Sequence, residues 1–119
     1  MTLHTTNNYA TLLASLGRLK EAKSLLRPAI PVARRVLGNS YDITLRMRLI
    51  YAMALYKADG ATLDDLREAV TILEETEQTA RRVLGGNHPI TLSVERALRR
   101  SRAALAARET PRGSSKGSN

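Results

Sequence analysis

The chain has no cysteine, tryptophan or phenylalanine, and only four tyrosines among its 119 residues. Without cysteine there is no disulfide framework, no Cys-ligated zinc and no cysteine nucleophile. Without interleaved aromatics there is little on which nucleic-acid bases could stack. Long apolar runs are missing too. The longest, residues 49–56, falls far short of the ~18 residues of a membrane span and suits a buried helix better. No Lys or Arg precedes Arg18, and Asn7 and Asn8 interrupt the first apolar stretch, so the start is a poor signal peptide. These absences set the first expectations: a cytoplasmic chain with no membrane insertion and no cofactor.

What is present is mostly Leu and Ala, both strong helix formers. Hydrophobic residues make up 43% of the chain, enough for a modest core in one domain or part of one. The net charge of +8 is unevenly spread. Between residues 63 and 79, Asp64, Asp65, Glu68, Glu74, Glu75 and Glu77 face Arg67 alone. Between 95 and 119, Arg96, Arg99, Arg100, Arg102, Arg108, Arg112 and Lys116 outnumber Glu95 and Glu109. A basic excess of this kind points to an acidic peptide, a nucleic acid or an anionic surface as partner.

The chain repeats itself. Ala33-Arg34-Arg35-Val36-Leu37-Gly38 recurs as Ala80-Arg81-Arg82-Val83-Leu84-Gly85, and in the same register Ile43-Thr44-Leu45 recurs as Ile90-Thr91-Leu92 and Glu21-Ala22 as Glu68-Ala69. That offset is 47 residues. An offset of 42 relates Thr2-Leu3 to Thr44-Leu45, Tyr9-Ala10 to Tyr51-Ala52 and Leu13 to Leu55. The difference of five marks one insertion within residues 57–65. The unit is therefore about 42 residues, present twice and followed by a third first half: units 2–43 and 44–90, then 91–108. Residues 109–119, rich in Gly and Ser with added bases, read as a disordered tail.

Each unit reads as two helices, which makes the fold all-α: about five antiparallel helices stacked as a solenoid. The expected spans are 3–16, 19–37, 42–58, 63–84 and 89–108. Gly17, Gly38 and Gly85-Gly86 end helices. Asp42 is placed to cap the third, Asp64 and Asp65 favour the start of the fourth, and Pro89 opens the fifth. Pro28 and Pro31 fall inside the second helix, where each costs ~3 kcal/mol, so a kink or break is expected near residues 27–30. Ala10, Ala22, Ala29, Ala52 and Ala69 should let helices approach closely, with Leu13, Leu26, Leu55 and Leu73 filling the space between them.

Several motifs then fall into place. Residues 2–10 (Thr-Leu-x-x-x-Asn-Asn-Tyr-Ala), 16–26 (Leu-Gly-Arg-x-x-Glu-Ala-x-x-Leu-Leu), 81–85 (Arg-Arg-Val-Leu-Gly) and 87–92 (Asn-His-Pro-x-Thr-Leu) resemble the 42-residue tetratricopeptide repeat of kinesin light chains. The resemblance spans roughly residues 2–107. It departs at Ser40-Tyr41-Asp42, where the first Asn-His-Pro would stand, and at Leu49-Ile50 and Arg96-Ala97, which replace the paired Asn. It implies a protein-interaction scaffold in which the first helix of each unit lines a groove. The implied groove positions are His4, Asn7, Asn8 and Thr11, then Arg46, Leu49, Met53 and Tyr56, then Arg96 and Arg100.

Those side chains suit a peptide. Amides can bond an extended backbone, Leu, Met and Tyr offer an apolar floor, and Arg can grip carboxylates in a bidentate way. The expected ligand is an acidic peptide segment with an apolar anchor. Nucleic acid or an anionic surface, bound through the basic last helix and tail, is the alternative partner. At about 2.5 units the array lies near the ~3 needed for a stable stack, which leaves self-association and membership of a longer array as further readings.

No catalytic constellation competes with this. His88 lies in the turn before the fifth helix, and a lone His is a weak metal signal. Adjacent carboxylates such as Asp64-Asp65 and Glu74-Glu75 point about 100° apart on a helix and cannot converge on one proton. Gly85-Gly86-Asn87 lacks the Lys of a phosphate loop, and no Ser sits in a nucleophile elbow. The expectation is a binding protein and not an enzyme.

Overall fold

The computed structural model describes residues 1–109. The tail expected at residues 110–119 lies outside the described residues. Five helices form: α1 (Leu3–Ser15), α2 (Leu19–Val36), α3 (Asp42–Lys57), α4 (Leu63–Leu84) and α5 (Pro89–Glu109). No strand occurs among the described residues. Glu109, expected to open the tail, is instead the last residue of α5 and accepts from Arg67 of α4 at 3.3 Å.

The helix ends follow from local chemistry. Thr2 precedes α1 in extended backbone and accepts the Thr5 N–H at 3.0 Å. Thr62 does the same for Asp65, and the Asp65 carboxylate accepts the Thr62 N–H in return, closing a reciprocal cap on α4. At α5 the imidazole Nδ1 of His88 accepts the Ile90 N–H at 3.1 Å, so this histidine serves a helix start. Gly38 and Gly85 end α2 and α4 at φ +94° and +91°, a region that an L side chain enters only with strain.

Two expectations give way. Tyr41, not Asp42, is the residue before α3, and no side chain caps that end. Asp42 is already helical, so its carboxylate acts through its charge near the positive helix end and not through a cap hydrogen bond. Of the kink or break expected near residues 27–30, the break does not occur, since α2 runs unbroken through Pro28 and Pro31. The reason lies in where the two rings sit. Both prolines are exposed, as are Ser24 and Arg27, whose carbonyls lose a donor. Those carbonyls meet water, while Ala22, Leu26 and Ala33 keep the opposite face packed.

The five-residue insertion is divided. The link between α3 and α4, residues 58–62, is two residues longer than that between α1 and α2, residues 16–18. The other three, residues 63–65, extend α4 by most of a turn at its start. The longer link is held from the far end of the stack, where Arg108 of α5 donates to the Ala61 carbonyl at 2.7 Å.

Packing follows the repeat. Each helix lies against the next, and α1 also meets α3 while α3 meets α5. The first helices of the units thus form one layer, with α2 and α4 covering its other side. Ala22, Leu26 and Ala33 of α2 and their counterparts Ala69, Leu73 and Ala80 of α4 are all fully buried. Ala10, Ala52, Leu13 and Leu55 are buried as expected, and Ala29 packs at the margin of the core. At the centre, α3 buries two faces: Met47, Ile50, Tyr51 and Ala54 on one, Leu45, Arg48, Ala52 and Leu55 on the other.

The reciprocal cap makes a testable statement. Hydrogen bonding from the Thr62 backbone holds the Asp65 carboxyl below the usual carboxylate range. A depressed folded value stabilises the fold above the unfolded value of about 4 and loses that effect as pH falls through the folded value. Asp65→Asn should therefore lower the melting temperature at pH 7, and the gap to the wild type should close as acid protonates the Asp65 carboxylate. A gap that persists unchanged in acid would assign the loss to something other than the charged cap.

Candidate functional site

The layer of α1, α3 and α5 carries most of the basic excess. Its helices hold Arg46, Arg48, Lys57, Arg96, Arg99, Arg100, Arg102 and Arg108 against Asp42, Glu95 and Glu109. The acids are concentrated on α4, which lies behind. A ligand meeting the first-helix layer therefore meets positive potential.

The expected groove residues are not equivalent. His4, Thr11, Arg46, Arg96 and Arg100 are exposed. The Thr11 hydroxyl donates to the Asn7 carbonyl at 2.9 Å. Leu49, Met53 and Tyr56 are half-buried and pack on the core, so together they can act as a floor. Arg100 of α5 lies near the Tyr56 hydroxyl of α3. Partial burial pushes the Tyr56 phenol above its ordinary value, with Arg100 pulling the other way. Tyr56 also borders a pocket of about 630 Å³ at the α3–α4 turn, with Leu66, Ala104 and Arg108.

Asn7 and Asn8 part company. Asn7 is only 5% exposed, and its Oδ1 is buried with no hydrogen-bond partner. Asn8 is exposed, but its counterparts in the next two units are Ile50 and Ala97, both buried. It therefore stands on the end face of the stack that those buried counterparts occupy between units. Adjacent residues on a helix diverge by about 100°, so the two Asn side chains leave α1 in different directions.

The arginines sort by partner. Arg18, Arg48, Arg67, Arg81 and Arg102 are ion-paired, to Glu21, Glu75, Asp64 and Glu109, Glu77 and Glu95, and Glu74 respectively. Among the described residues, Arg46, Arg96 and Arg100 have no carboxylate partner. Arg27, Arg34, Arg35, Arg82, Arg99 and Arg108 also lack a carboxylate partner: Arg27, Arg34 and Arg108 donate to the Tyr51 hydroxyl, Asn39 and the Ala61 carbonyl, Arg35 and Arg82 lie on α2 and α4, and Arg99 neighbours Arg96 on α5.

Sequence reasoning missed Arg48. Its side chain is 7% exposed and donates to Glu75 of α4 at 2.7 Å. It lines a small pocket of about 260 Å³ with Arg27, Tyr51, Glu68 and Ile72, where Arg27 donates to the Tyr51 hydroxyl at 3.2 Å. A signal did exist: Arg48 falls at i+3 from Leu45 and i−4 from Ala52, on an apolar stripe.

A tetratricopeptide repeat family model matches residues 2–42 and 61–90, well over half of the sequence. The chain belongs to the tetratricopeptide repeat family. Repeats of this family mediate protein–protein interaction. The two matches cover α1 with α2, and α4 with the start of α5, while α3 supplies the first helix between them. No curated protein and no solved structure matches the chain. Among the described residues, no helix is long and apolar enough to cross a membrane.

The Arg48–Glu75 pair offers a test of how the repeat is held. A buried cation is costly once its partner goes, whereas an apolar residue of similar volume is tolerated. Glu75 is itself 59% exposed, which reduces the penalty. Glu75→Leu should destabilise by about 1–3 kcal/mol in urea melts, and Arg48→Met by less than ~1 kcal/mol. The reverse order would contradict this account of the pair.

Proposed function

We propose that the first-helix layer is a groove for an extended acidic peptide segment carrying an apolar anchor. The observation that carries this is the company kept by its unpaired bases. Arg46, Arg96 and Arg100 have no carboxylate partner among the described residues, and they flank the half-buried Leu49, Met53 and Tyr56. A ligand carboxylate would complete these arginines, and an apolar side chain would cover the floor. Asn7 is buried at this layer with its Oδ1 unpartnered, and it would reach a peptide N–H only by turning its side chain outward. Units 2–43, 44–90 and 91–108 supply the frame. Likeness to the kinesin light chain type of repeat supports peptide binding, and only that function is carried over.

The basic last helix draws less support as a nucleic-acid surface. Arg102 is held by Glu74 and Arg108 by the Ala61 carbonyl, so the bases do not form one free row along α5.

Fluorescence anisotropy against a library of acidic peptides, each with one Leu or Phe, tests the proposal. Arg46→Glu with Arg100→Glu should weaken the best binder roughly 100-fold, and Arg35→Glu on α2 should leave it unchanged. Rising salt should weaken binding. Unaltered affinity in the double reversal would sink the groove, and tighter binding of a nucleic-acid duplex than of any peptide would favour the other partner. Asn7→Leu, which installs the residue found at the equivalent position 49, should raise stability by about 1 kcal/mol while weakening the peptide. Stabilisation without loss of binding would remove Asn7 from the site.

A further inference from the structure

The exposed face of α1 has counterparts elsewhere in the chain. Thr5, Asn8, Tyr9 and Leu12 correspond, 42 residues on, to Met47, Ile50, Tyr51 and Ala54 of α3. A further 47 residues on they correspond to Val94, Ala97, Leu98 and Ser101 of α5. In both later copies all four positions are at most 9% exposed, covered by the second helix of the preceding unit. In α1 the same face is bare: Tyr9 is 44%, Leu12 53% and the adjoining Leu16 59% exposed. The backbone geometry that receives a helix twice within this molecule is thus present a third time, unfilled.

The chemistry of that face is distinctive. Helix α1 contains no Asp, Glu, Lys or Arg, in a chain of net charge +8. Beside it, Arg18 and Glu21 pair with each other at 2.6 Å, and Lys20 lies at its edge, lining a shallow pocket with Tyr9 and Leu13. The other end of the stack is the opposite. On α5 the positions that α3 fills with Leu45, Arg48, Ala52 and Leu55 are Leu92, Glu95, Arg99 and Arg102. Glu95 and Arg102 there are tied to α4 by Arg81 and Glu74. One end is closed by charge, and the other is open and apolar.

We infer that the α1 face docks a second copy of this chain, α1 against α1, across a two-fold axis. Two molecules of charge +8 repel over most of their surfaces. At α1 the two facing helices themselves set no like charges together, and Lys20 stands only at the edge of the contact. The Tyr9, Leu12 and Leu16 stripe is uncharged and self-complementary, which is what an isologous contact requires. Docking α1 on the α5 end instead would press apolar groups onto Arg99 and Arg102 and would propagate into filaments. A 13-residue helix is only ~20 Å long. The contact therefore falls below the ~800 Å² per partner of stable dimers, and the association is reversible and concentration-dependent.

Sedimentation velocity over a concentration series reads this directly. The dimer fraction should rise with concentration and with salt, because salt screens the repulsion. That salt response is opposite in sign to the one expected of acidic-peptide binding, so the two readings stand or fall separately. Leu12→Glu should abolish the dimer, with the fold checked by circular dichroism since Leu12 is exposed. The absence of native cysteine allows a second readout. Full-length Leu12→Cys should form a disulfide dimer under mild oxidation, and Arg99→Cys should not. A wild type that stays monomeric throughout, or a dimer untouched by Leu12→Glu, would overturn the inference. So would a mixture of the two cysteine variants in which they cross-link to each other in preference to Leu12→Cys linking to itself, because that would mean head-to-tail stacking.

Discussion

Everything in this molecule depends on one constraint: a helix pair cannot hide its apolar surface by itself. A two-helix unit leaves one side of its first helix uncovered, and only a neighbouring unit can take that side out of water. Helix α3 shows the constraint met in full, with Met47, Ile50, Tyr51 and Ala54 closed by the unit before and Leu45, Arg48, Ala52 and Leu55 by its own partner. Helices α1 and α5 show it met by half. The small residues Ala10, Ala22, Ala52 and Ala69 set how near the axes come, and that nearness fixes which side chains remain on the open layer.

The charge pattern follows from the same geometry. Where helices meet across the stack, arginines are consumed in ion pairs: Arg48 with Glu75, Arg81 with Glu95, Arg102 with Glu74. Most such exposed pairs add little stability, but they remove bases from the pool open to a ligand. The arginines left over on the first-helix layer are therefore a selected subset. Arg46, Arg96 and Arg100 keep clear of carboxylates beside an apolar floor, and the overall charge of +8 understates how sharply positive potential is placed.

The two sequence offsets carry the number of helices, their ends within a residue or two, and the identity of Leu26, Leu55 and Leu73 as core. This works because burial in a repeat is periodic in the chain itself. Legibility ends where an outcome depends on orientation. Pro28 and Pro31 are tolerated because their rings and the carbonyls they deprive face water. Asp42 enters the helix because Tyr41 already supplies the extended residue before it. Asn7 and Asn8 look like a pair along the chain, yet comparison with Leu49-Ile50 and Arg96-Ala97 separates them, because the later copies of Asn8 are both buried and those of Asn7 are half-buried or exposed. Arg48 stays hidden when charge is counted along the chain and not around the helix.

The segment that recurs identically, residues 33–38 and 80–85, ends α2 and α4 in the same way, with Ala33 and Ala80 sealed in the core and Gly38 and Gly85 turning the chain. A recombination event that joined one copy to the other would add or remove 47 residues as a block and keep the Ala, Leu and Ala of each second helix in register. Array length is thus a variable that genetic exchange can change in whole units, with the side chains at each new helix contact left to adjust.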